Sequence, residues 1–321
     1  MAYRELGTAS LVVVQAVDAA LNNEDKHLLI ACSGGADSLA LAFAARYVAI
    51  RRYLEYAAVV IDHGLQDGSG DVAASVEQQL ARLGYDDVAV ITVEVGQSAA
   101  GPEAAAREAR YRALDAEARA RSATVLIGHT LDDQAETVLL GLARGSGSRS
   151  LAGMPPRAGH LLRPFLHLRR ETTERACAEQ GLDPWQDPHN TDRRFTRVRV
   201  RESVLPTLET ELGPGVAEAL ARTAELLRDD TALLDRLAAE AYRTAEGLGG
   251  TDTLDCAALE SQPPALRRRI LRLWLLAHGI GDLTLRHISA VESLVIGWHG
   301  QKSIQIPGAT VTRNAGRLRV G

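Results

Sequence analysis

A short polar string between an apolar run and a helical run is the first feature of this sequence that could do chemistry. The string is Ser33-Gly34-Gly35-Ala36-Asp37-Ser38, and it follows the apolar run His27–Cys32. Two glycines let the backbone turn tightly and bring its N–H groups against phosphate oxygens, and the next helix directs its positive end to the same point. Ser33 and Ser38 can donate hydrogen bonds, and Asp37 can hold a divalent metal ion. The alternative is a tight turn with serine and aspartate as helix caps.

Two common nucleotide sites are excluded by the same string. It lacks the lysine of G-x-x-x-x-G-K-[ST], so it is not the phosphate loop of kinases and GTPases. It also lacks G-x-G-x-x-G, so a nicotinamide site has no support. The string therefore predicts a phosphate-binding loop of another type.

A second polar string, GHTLDDQAET, covers residues 128–137. Asp133 and Glu136 are three residues apart at the start of a predicted helix, so both face the same way. From the residues alone a helix cap is favoured, in which Asp132 or Asp133 accepts backbone N–H bonds and Glu136 supports the helix dipole. His129 follows a predicted strand, and an ordinary hydrogen bond in a loop would explain it.

Further charged residues lie on or beside predicted elements. Arg107 and Arg110 lie on a predicted helix, where Glu103 could form a surface ion pair with Arg107. The functional alternative is that one of the two arginines stabilises charge on a phosphate. Asp62 and His63 end a predicted strand near the expected nucleotide crevice, and turn chemistry is their alternative role.

A dense group of arginines lies between residues 193 and 201, with no acidic residue among them. A solvated helix face is the default explanation of such a run, but its density in an acidic protein indicates a local phosphate-binding patch. The preceding string Trp185–Asp192 (WQDPHNTD) is typical of an Asp-Pro turn with local caps. The arginines are Arg193, Arg194, Arg197, Arg199 and Arg201.

The elements that must position these residues alternate between strand-like and helix-like segments. Strands are predicted at residues 27–32, 56–62, 88–95 and 124–128, and helices at 38–52, 71–83, 101–121 and 132–143. This alternation predicts an α/β fold with a doubly wound parallel sheet. Ligands of such sheets bind beyond the carboxyl ends of the strands, where these motifs fall.

The rest of the chain predicts a second, smaller domain. Residues 144–159 are rich in Gly, Ser and Pro and predict a long flexible loop. Residues 215–248 have a helical pattern, and residues 302–320 predict small antiparallel strands. We expect a catalytic domain at 1–213 and a mostly helical C-terminal domain at 214–321, ending in short strands.

Composition limits the class of protein. With 321 residues and 46% hydrophobic residues, the chain can bury a sizeable core in more than one domain. The net charge of −5 means that nucleic-acid binding must come from local basic patches. Cys32, Cys177 and Cys256 form no C-x-x-C pair, which gives no support to a zinc ribbon or an iron–sulfur site and fits a reducing cytoplasm. No secretory signal and no membrane span are expected, so we predict a cytoplasmic protein.

Several strings match known families in order and spacing. The string S-G-G-x-D-S in the first strand-to-helix turn resembles the signature of the PP-loop ATP pyrophosphatases, which cleave ATP between the α and β phosphates. Over roughly the first two thirds of the chain, five further strings resemble the tRNA(Ile)-lysidine synthetase family. These strings are Ile61–Leu65 (IDHGL), Glu103–Tyr111 (EAAAREARY), Gly128–Thr137, Trp185–Asp192 and Phe195–Pro206 (FTRVRVRESVLP).

The resemblance implies an ATP-dependent ligase that joins free lysine to C2 of the wobble cytidine of tRNA(Ile) with a CAU anticodon. Magnesium would be held by Asp37 and Asp133, and the pair Asp133 and Glu136 would receive a lysine ammonium or a magnesium ion. The proton of the attacking amine would go to a carboxylate or a histidine. The implied catalytic residues are Asp37, Arg107, Arg110, His129, Asp133, Glu136 and Arg199. The implied nucleotide-binding residues are Ser33 to Ser38, Asp62 and His63.

The C-terminal segment and two departures qualify this resemblance. Residues 296–321 contain Lys302, three arginines and no acidic residue, a formal charge of +4 that indicates either a solubilising surface or a tRNA-contacting module. Val198 stands where the family usually has the asparagine of R-N-R, and Thr130 stands where a second histidine is common.

Other functions remain open from the sequence. A PP-loop tRNA thiolase would need a reactive cysteine or a C-x-x-C, and an amidotransferase a glutaminase nucleophile; neither is evident. A non-catalytic nucleotide- or tRNA-binding module of the same fold would have no evident need for Asp133 and Glu136 beside Asp37. The sequence does not define the oligomeric state, and a homodimer is compatible with it.

Overall fold

A computed structural model describes residues 6–62, 69–94, 96, 102–145, 147–246, 253–300 and 303–321. The chain divides into two compact units, Met1–Glu225 and Leu226–Gly321. The division falls inside the long helix α10 (Val216–Glu246), whereas the sequence puts the domain boundary just before that helix. Each unit has a hydrophobic core of its own.

The first unit is built on a six-stranded sheet with the strand order β3-β2-β1-β4-β6-β5. All described pairings are parallel except that of β5 with β6. The order reverses between β1 and β4, which is the position where doubly wound sheets bind ligands. The predicted fold class is therefore confirmed. The strands are β1 (His27–Ala31), β2 (Glu55–Asp62), β3 (Val88–Thr92), β4 (Thr124–Ile127), β5 (Arg157–Ala158) and β6 (Leu161–Leu162).

Helices connect these strands and cover the sheet. No helix in the described ranges is long and apolar enough to cross a membrane. The predicted termini at Val95, Gly101 and Leu248 lie outside the described residues. The helices of the first unit, before α10, are α1 (Thr8–Ala20), α2 (Ala36–Arg52), α3 (Ser69–Arg82), α4 (Pro102–Arg121), α5 (Leu131–Ala143), α6 (Gly147–Leu151), α7 (Arg170–Gln180), α8 (Thr196–Arg199) and α9 (Leu205–Glu211). A short 3-10 turn (Pro188–Thr191) precedes α8, and a π-helical turn (Val200–Val204) joins α8 to α9.

Side chains of β1 alternate between the two faces of the sheet. Leu28 and Ile30 are buried in the core that includes α1, α2 and α7, whereas Leu29 is buried against α4 on the other face. Successive residues of a strand point to opposite faces, so a short strand that is apolar throughout must be covered on both sides. The phosphate-loop string therefore follows a strand that is fixed by packing on both faces.

The prediction of a long flexible loop at residues 144–159 is wrong in part, because this segment contains α6 and β5. The side chain of Gln134 holds the segment in place. Its Oε1 accepts from the backbone N–H of Met154 at 2.7 Å, and its Nε2 donates to the Met154 carbonyl at 2.9 Å. A contact of this kind comes from tertiary structure, so Gly- and Ser-rich composition does not reveal it.

The second unit contains most of α10, three further helices and a four-stranded antiparallel sheet with the order β7-β10-β9-β8. Leu271 and Trp274 of α12 are fully buried against this sheet and α13. The last hairpin turns at Ala315 and Gly316, both with positive φ, as a two-residue primed turn requires. The elements are β7 (Thr253–Asp255), α11 (Cys256–Glu260), α12 (Pro264–Ala277), α13 (Leu285–Ile296), β8 (Ser303–Ile306), β9 (Ala309–Asn314) and β10 (Arg317–Val320).

Candidate active site

The predicted phosphate loop forms a tight connection between β1 and α2. Gly34 has a φ of 84°, and a Cβ atom on it would lie 2.4 Å from Cγ2 of Val76, so glycine is required for conformation and for space. The Ser38 hydroxyl accepts from the Ser33 N–H at 3.1 Å and donates to the Gly35 carbonyl at 2.9 Å. The backbone N–H of Trp185 donates to the Gly34 carbonyl at 3.0 Å. These hydrogen bonds fix the conformation of the loop at the N-terminus of α2.

The end of β4 lies directly against this loop. A Cβ atom on Gly128 would lie 2.8 Å from the Asp37 carbonyl oxygen, so only glycine allows the two backbones to approach this closely. The close approach brings His129, the next residue, to the side of the phosphate loop. The first residues of the GHTLDDQAET string and the loop are therefore parts of one site, as the sequence predicts for neighbouring strand ends.

Asp37 in the first turn of α2 is held by two residues of α7. Thr173 donates a short hydrogen bond from Oγ1 to one carboxylate oxygen, and Nε of Arg170 lies 3.4 Å from the other. Burial raises the pKa of Asp37 to about 6, although Arg170 and Thr173 oppose the shift. The ionised form of Asp37 is therefore only partly stabilised by Arg170 and Thr173.

Asp133 is both a helix cap and a member of an ion-pair network. Its Oδ2 accepts from the Thr130 N–H at 2.8 Å, and the Thr130 side chain caps α5 in return. Its Oδ1 lies 3.0 Å from NH2 of Arg170 and 3.5 Å from NH2 of Arg201. Burial by itself would raise the pKa of Asp133, but Arg170, His129, Thr130 and Arg201 together hold it below its ordinary value.

Glu136, one turn further along α5, is completely buried and faces three arginines. Nε of Arg201 donates to its Oε1 at 2.7 Å, and NH2 of Arg201 to its Oε2 at 3.2 Å. Nε of Arg197 lies 3.3 Å from Oε2, and NH1 of Arg170 lies 3.8 Å from Oε1. Asp133 and Glu136 therefore share Arg170 and Arg201, which agrees with the prediction that both face one way.

His129 is fixed in one tautomer by Arg163. Nε of Arg163 donates to Nδ1 of His129 at 3.2 Å, so the hydrogen of the neutral imidazole is on Nε2. Burial lowers the pKa of His129 to about 3, and Arg110 and Arg163 add to the shift, while Asp133 opposes it. His129 is thus a neutral hydrogen-bond donor, because the nitrogen that could accept a proton is occupied.

Arg107 and Arg110 of α4 surround the ring of Tyr111. Their guanidinium carbons lie 4.9 Å and 5.4 Å from the ring centroid. Arg163 and Arg107 donate hydrogen bonds to the Tyr111 hydroxyl. Burial would raise the pKa of Tyr111, but Arg107, Arg163 and Arg110 lower it below its ordinary value. Arg107, Arg110 and Arg163 therefore form a cationic cluster around Tyr111, next to the neutral His129.

Two predicted site residues, Arg199 and Asp62, make other contacts, and a third lies outside the described residues. Arg199 donates to the carbonyls of Arg193 and Arg194 at 2.7 Å and 2.8 Å, and no contact with a site carboxylate is found for it in the described part of the chain. Asp62 ends β2, where its carbonyl accepts from the N–H of Val93. His63 lies outside the described residues, as does Lys302.

The sequence did not indicate three site residues, Arg163, Arg170 and Thr173. They lie in the stretch 163–173, which matched none of the strings used for prediction. One signal was present. Arg169 and Arg170 open α7, where the positive end of the helix dipole disfavours cations, so nearby acidic partners were to be expected. Asp132 supplies one of them, since it accepts from the Arg170 N–H at 2.8 Å and pairs with Arg169.

The carboxylates of Asp37 and Asp133 fit a magnesium ion that is shared with a substrate. Magnesium prefers oxygen ligands and usually binds through one or two carboxylates and substrate phosphates, while it keeps several waters. Across the described ranges, no three His, Cys, Asp or Glu side chains come together in a group that could hold a metal. The donor set therefore suits an ion completed by phosphate oxygens and does not suit a cage made of protein alone.

The first strand ends in a glycine-rich loop, and Asp37 lies in the first turn of the helix that follows. Together with the cationic cluster around Tyr111, these features are typical of a PP-loop protein. Residues 10–208 match the model of the PP-loop domain, and residues 254–319 match that of the TilS substrate binding domain. The U34-tRNA thiolase NcsA of Methanococcus maripaludis has a similar fold, with a TM-score of 0.58, 16% identity, and coverage of 69% of this chain and 80% of that chain.

Curated relatives define the family more narrowly. The tRNA(Ile)-lysidine synthase of Leifsonia xyli is 54% identical over 91% of this chain and 88% of that protein. The synthases of Thermobifida fusca and Streptomyces coelicolor are 53% and 52% identical, over 88% and 90% of this chain and 87% and 83% of those proteins. The chain belongs to the tRNA(Ile)-lysidine synthase family, which is a family of ligases.

Proposed function

We propose that this protein uses ATP to join free lysine to C2 of the wobble cytidine of tRNA(Ile) with a CAU anticodon. One observation carries the proposal. The guanidinium of Arg170 contacts Asp37 of the phosphate loop and both acids of α5, so the ATP site and a site for a cationic substrate are one site. The identity to curated lysidine synthases supports the choice of substrates.

The first step is adenylation of the tRNA. The C2 oxygen of the cytidine attacks the α-phosphate, a bond between that oxygen and phosphorus forms, and the bond to the β-phosphate oxygen breaks to release pyrophosphate. Phosphate oxygens bind at the N-terminus of α2, where the helix begins directly after Gly34 and Gly35. Arg107, Arg110 and the Nε2–H of His129 stabilise the charge that develops on the α-phosphate.

The second step is attack by lysine. Asp133 and Glu136 bind the ammonium group, because two buried carboxylates are the natural partners of a desolvated cation. After loss of a proton, the amine attacks C2 and AMP leaves with the oxygen. The proposed proton acceptor is a carboxylate of this acid pair, since Arg163 engages Nδ1 of His129.

Two further binding roles complete the proposal. Asp37 and Asp133 would hold magnesium, which supplies charge neutralisation on the phosphates. The C-terminal unit would contact tRNA. Its match to a substrate binding domain and its excess of basic residues between positions 296 and 321 support that role.

A thiolase function gains no support from the cysteines. All three, Cys32, Cys177 and Cys256, are buried. Burial raises the pKa of each thiol, to about 12 for Cys177, so none has the exposed thiolate that sulfur transfer requires.

Transfer of labelled lysine tests the function directly. The protein, ATP, magnesium, labelled lysine and a tRNA(Ile) transcript with a CAU anticodon should give labelled tRNA, AMP and pyrophosphate. A folded protein that binds ATP and leaves the tRNA unlabelled would overturn the proposal.

Two variants locate the chemistry. Asp37→Ala should abolish pyrophosphate release, whereas Asp87→Ala should leave it unchanged. Asp87 is a matched control because it is exposed and pairs with Arg121. It lies at the amino end of β3, whereas the site lies at the carboxyl ends of β1 and β4. Pyrophosphate release by Asp37→Ala at the wild-type rate would refute the assignment of the loop.

A further inference from the structure

One guanidinium, that of Arg170, contacts three carboxylates from two separate helices. Its Nε lies 3.4 Å from Asp37, its NH2 lies 3.0 Å from Asp133, and its NH1 lies 3.8 Å from Glu136. All five guanidinium hydrogens of an arginine point in fixed directions, so one side chain can bridge several acids. Arg170 therefore stands between the proposed ATP half and the proposed lysine half of the site.

The negative charges of the three acids are balanced by arginine side chains of the protein itself. Arg197 and Arg201 also face the pair Asp133 and Glu136, so three carboxylates meet three guanidinium groups. The Asp133 and Glu136 side chains are 12% and 0% exposed. A further cation that enters a buried and balanced cluster is poorly compensated, and burial of uncompensated charge is costly. Lysine binding therefore requires that one arginine leaves its acids.

Arg170 is the arginine of this cluster that also contacts the phosphate loop, so nucleotide phosphates can become its new partner. It adjoins Asp37 in the first turn of α2, where nucleotide phosphates would bind, and a guanidinium pairs well with phosphate oxygens. Its backbone stays fixed, since Asp132 accepts its N–H at 2.8 Å. Thr173 donates a separate hydrogen bond to Asp37, so Asp37 does not depend on Arg170 alone for a partner.

We propose that Arg170 couples the two halves of the site: bound nucleotide draws its guanidinium from Asp133 and Glu136 to the phosphates, and the freed acids then bind lysine. Arg170 is in this sense a positioning residue that makes lysine binding depend on ATP. The inference rests on the proposed function, because it takes Asp133 and Glu136 as the lysine site. Coupling of this kind is reciprocal, so lysine also tightens nucleotide binding by the same factor.

Calorimetric titration of lysine tests the coupling. Lysine is titrated into the full chain alone and into the full chain saturated with magnesium and α,β-methylene ATP, which cannot be cleaved between the α and β phosphates. The wild-type protein should bind lysine on the order of tenfold more tightly with the nucleotide. In Arg170→Gln the two affinities should agree within about twofold, because lysine no longer displaces a cation.

The neighbouring arginine provides a matched control. Arg169 has the same chemistry and flanks the same helix, but it pairs with Asp132 and Glu218. Arg169→Gln should keep the wild-type coupling. Arg170→Lys is a second variant in case Arg170→Gln does not fold. It keeps the positive charge but cannot bridge several acids, so its coupling should fall below that of the wild type.

The outcomes separate the two claims. Equal lysine affinity with and without nucleotide in the wild type, or full coupling in either Arg170 variant, would overturn the inference and leave the proposed function intact. A wild-type protein that binds nucleotide but no lysine under either condition would overturn the proposed function and the inference with it.

Discussion

Each unit of this protein buries a glutamate among arginines, but the two clusters are built differently. The Glu136 cluster of the first unit consists of Asp133, Glu136, Arg170, Arg197 and Arg201. The Glu292 cluster of the second unit consists of Glu292, Arg267 and Arg268. Glu136 and Glu292 are 0% and 3% exposed. Burial alone therefore does not distinguish them.

In the Glu292 cluster, both carboxylate oxygens of Glu292 and the guanidinium of Arg267 have hydrogen-bond partners. Nε of Arg267 donates to Glu292 at 2.8 Å, and its NH1 donates to the carbonyls of Gln262 and Glu260 at 2.9 Å and 3.4 Å. The second carboxylate oxygen accepts from Arg268 at 2.7 Å. Donors and acceptors are matched, as expected of an ion pair that holds helices α12 and α13 together.

The Glu136 cluster is shared and incomplete. Its arginines are divided among several acids, and Nε of Arg197 is buried without a well-aligned hydrogen bond, although it lies 3.3 Å from Glu136. Its three arginine side chains keep between 21% and 30% exposure, whereas in the Glu292 cluster Arg267 keeps 7% and Arg268, at the surface, 45%. A buried charge network that retains solvent access and spare donors can exchange partners, which a site for substrates needs.

The largest expected effect is on the stability of the second unit. Glu292→Gln leaves the guanidinium of Arg267 buried without a counter-ion, so the free energy of unfolding should fall by about 3–5 kcal/mol. Chemical denaturation measures the change. Lysine transfer per folded molecule should stay at the wild-type level, since Glu292 lies inside its unit; a loss of catalysis without a loss of stability would break the comparison.

Glu136→Gln should act in the opposite way. We expect lysine transfer to fall about 100-fold, equivalent to about 2.7 kcal/mol, because the proposed ammonium site loses a carboxylate. Its cost in stability should be smaller than that of Glu292→Gln, because water can reach the three arginines. Steady-state assays and denaturation of the same two variants give both quantities, and equal losses of stability would remove the proposed distinction.

The pH dependence of stability sharpens the comparison at Asp37. Its pKa is raised from 3.8 to about 6 in the folded protein, so its contribution to stability is complete below pH 4 and is lost as the pH rises through 6. At pH 8, Asp37→Asn should therefore be more stable than the wild type by about 2–3 kcal/mol, and the gain should vanish towards pH 4. Denaturation at a series of pH values measures this gain. A constant difference across that range would contradict the assignment.

The smallest expected effect concerns His129, whose imidazole should not titrate near neutral pH. His129 has a pKa of about 3 and accepts from Arg163 at Nδ1, so it should remain neutral with its proton on Nε2 between pH 5 and 8. Nitrogen chemical shifts of the histidine side chains in labelled protein report both the charge and the tautomer. A His129 resonance that titrates near 6.5, the ordinary value, would restore it as a candidate base.

Much of the fold could be predicted because its signals are local. Apolar runs such as His27–Cys32 followed by helical patterns predicted the parallel sheet, and Gly34 and Gly35 predicted the phosphate loop. The prediction for segment 144–159 was wrong in part, because Gln134, whose side chain holds Met154, lies 20 positions away along the chain. The role of Arg199 stays a prediction, although its guanidinium donates to the carbonyls of Arg193 and Arg194, just before α8.

The sequence alone indicates phosphate chemistry through the loop Ser33–Ser38. The spacing of Asp133 and Glu136 favours a helix cap, and their role in the site is implied by the family resemblance. The partners of these groups follow from the folded chain and not from the sequence. Arg170 meets Asp37 across 133 positions of the chain, and Arg163 meets His129 across 34. An ion pair between distant residues leaves no periodic trace in a sequence, because its energy depends on distance and burial in the folded chain. The phosphate loop can thus be predicted from its own residues, but the pKa of Asp37 depends on burial and on its contacts with Arg170 and Thr173 of α7.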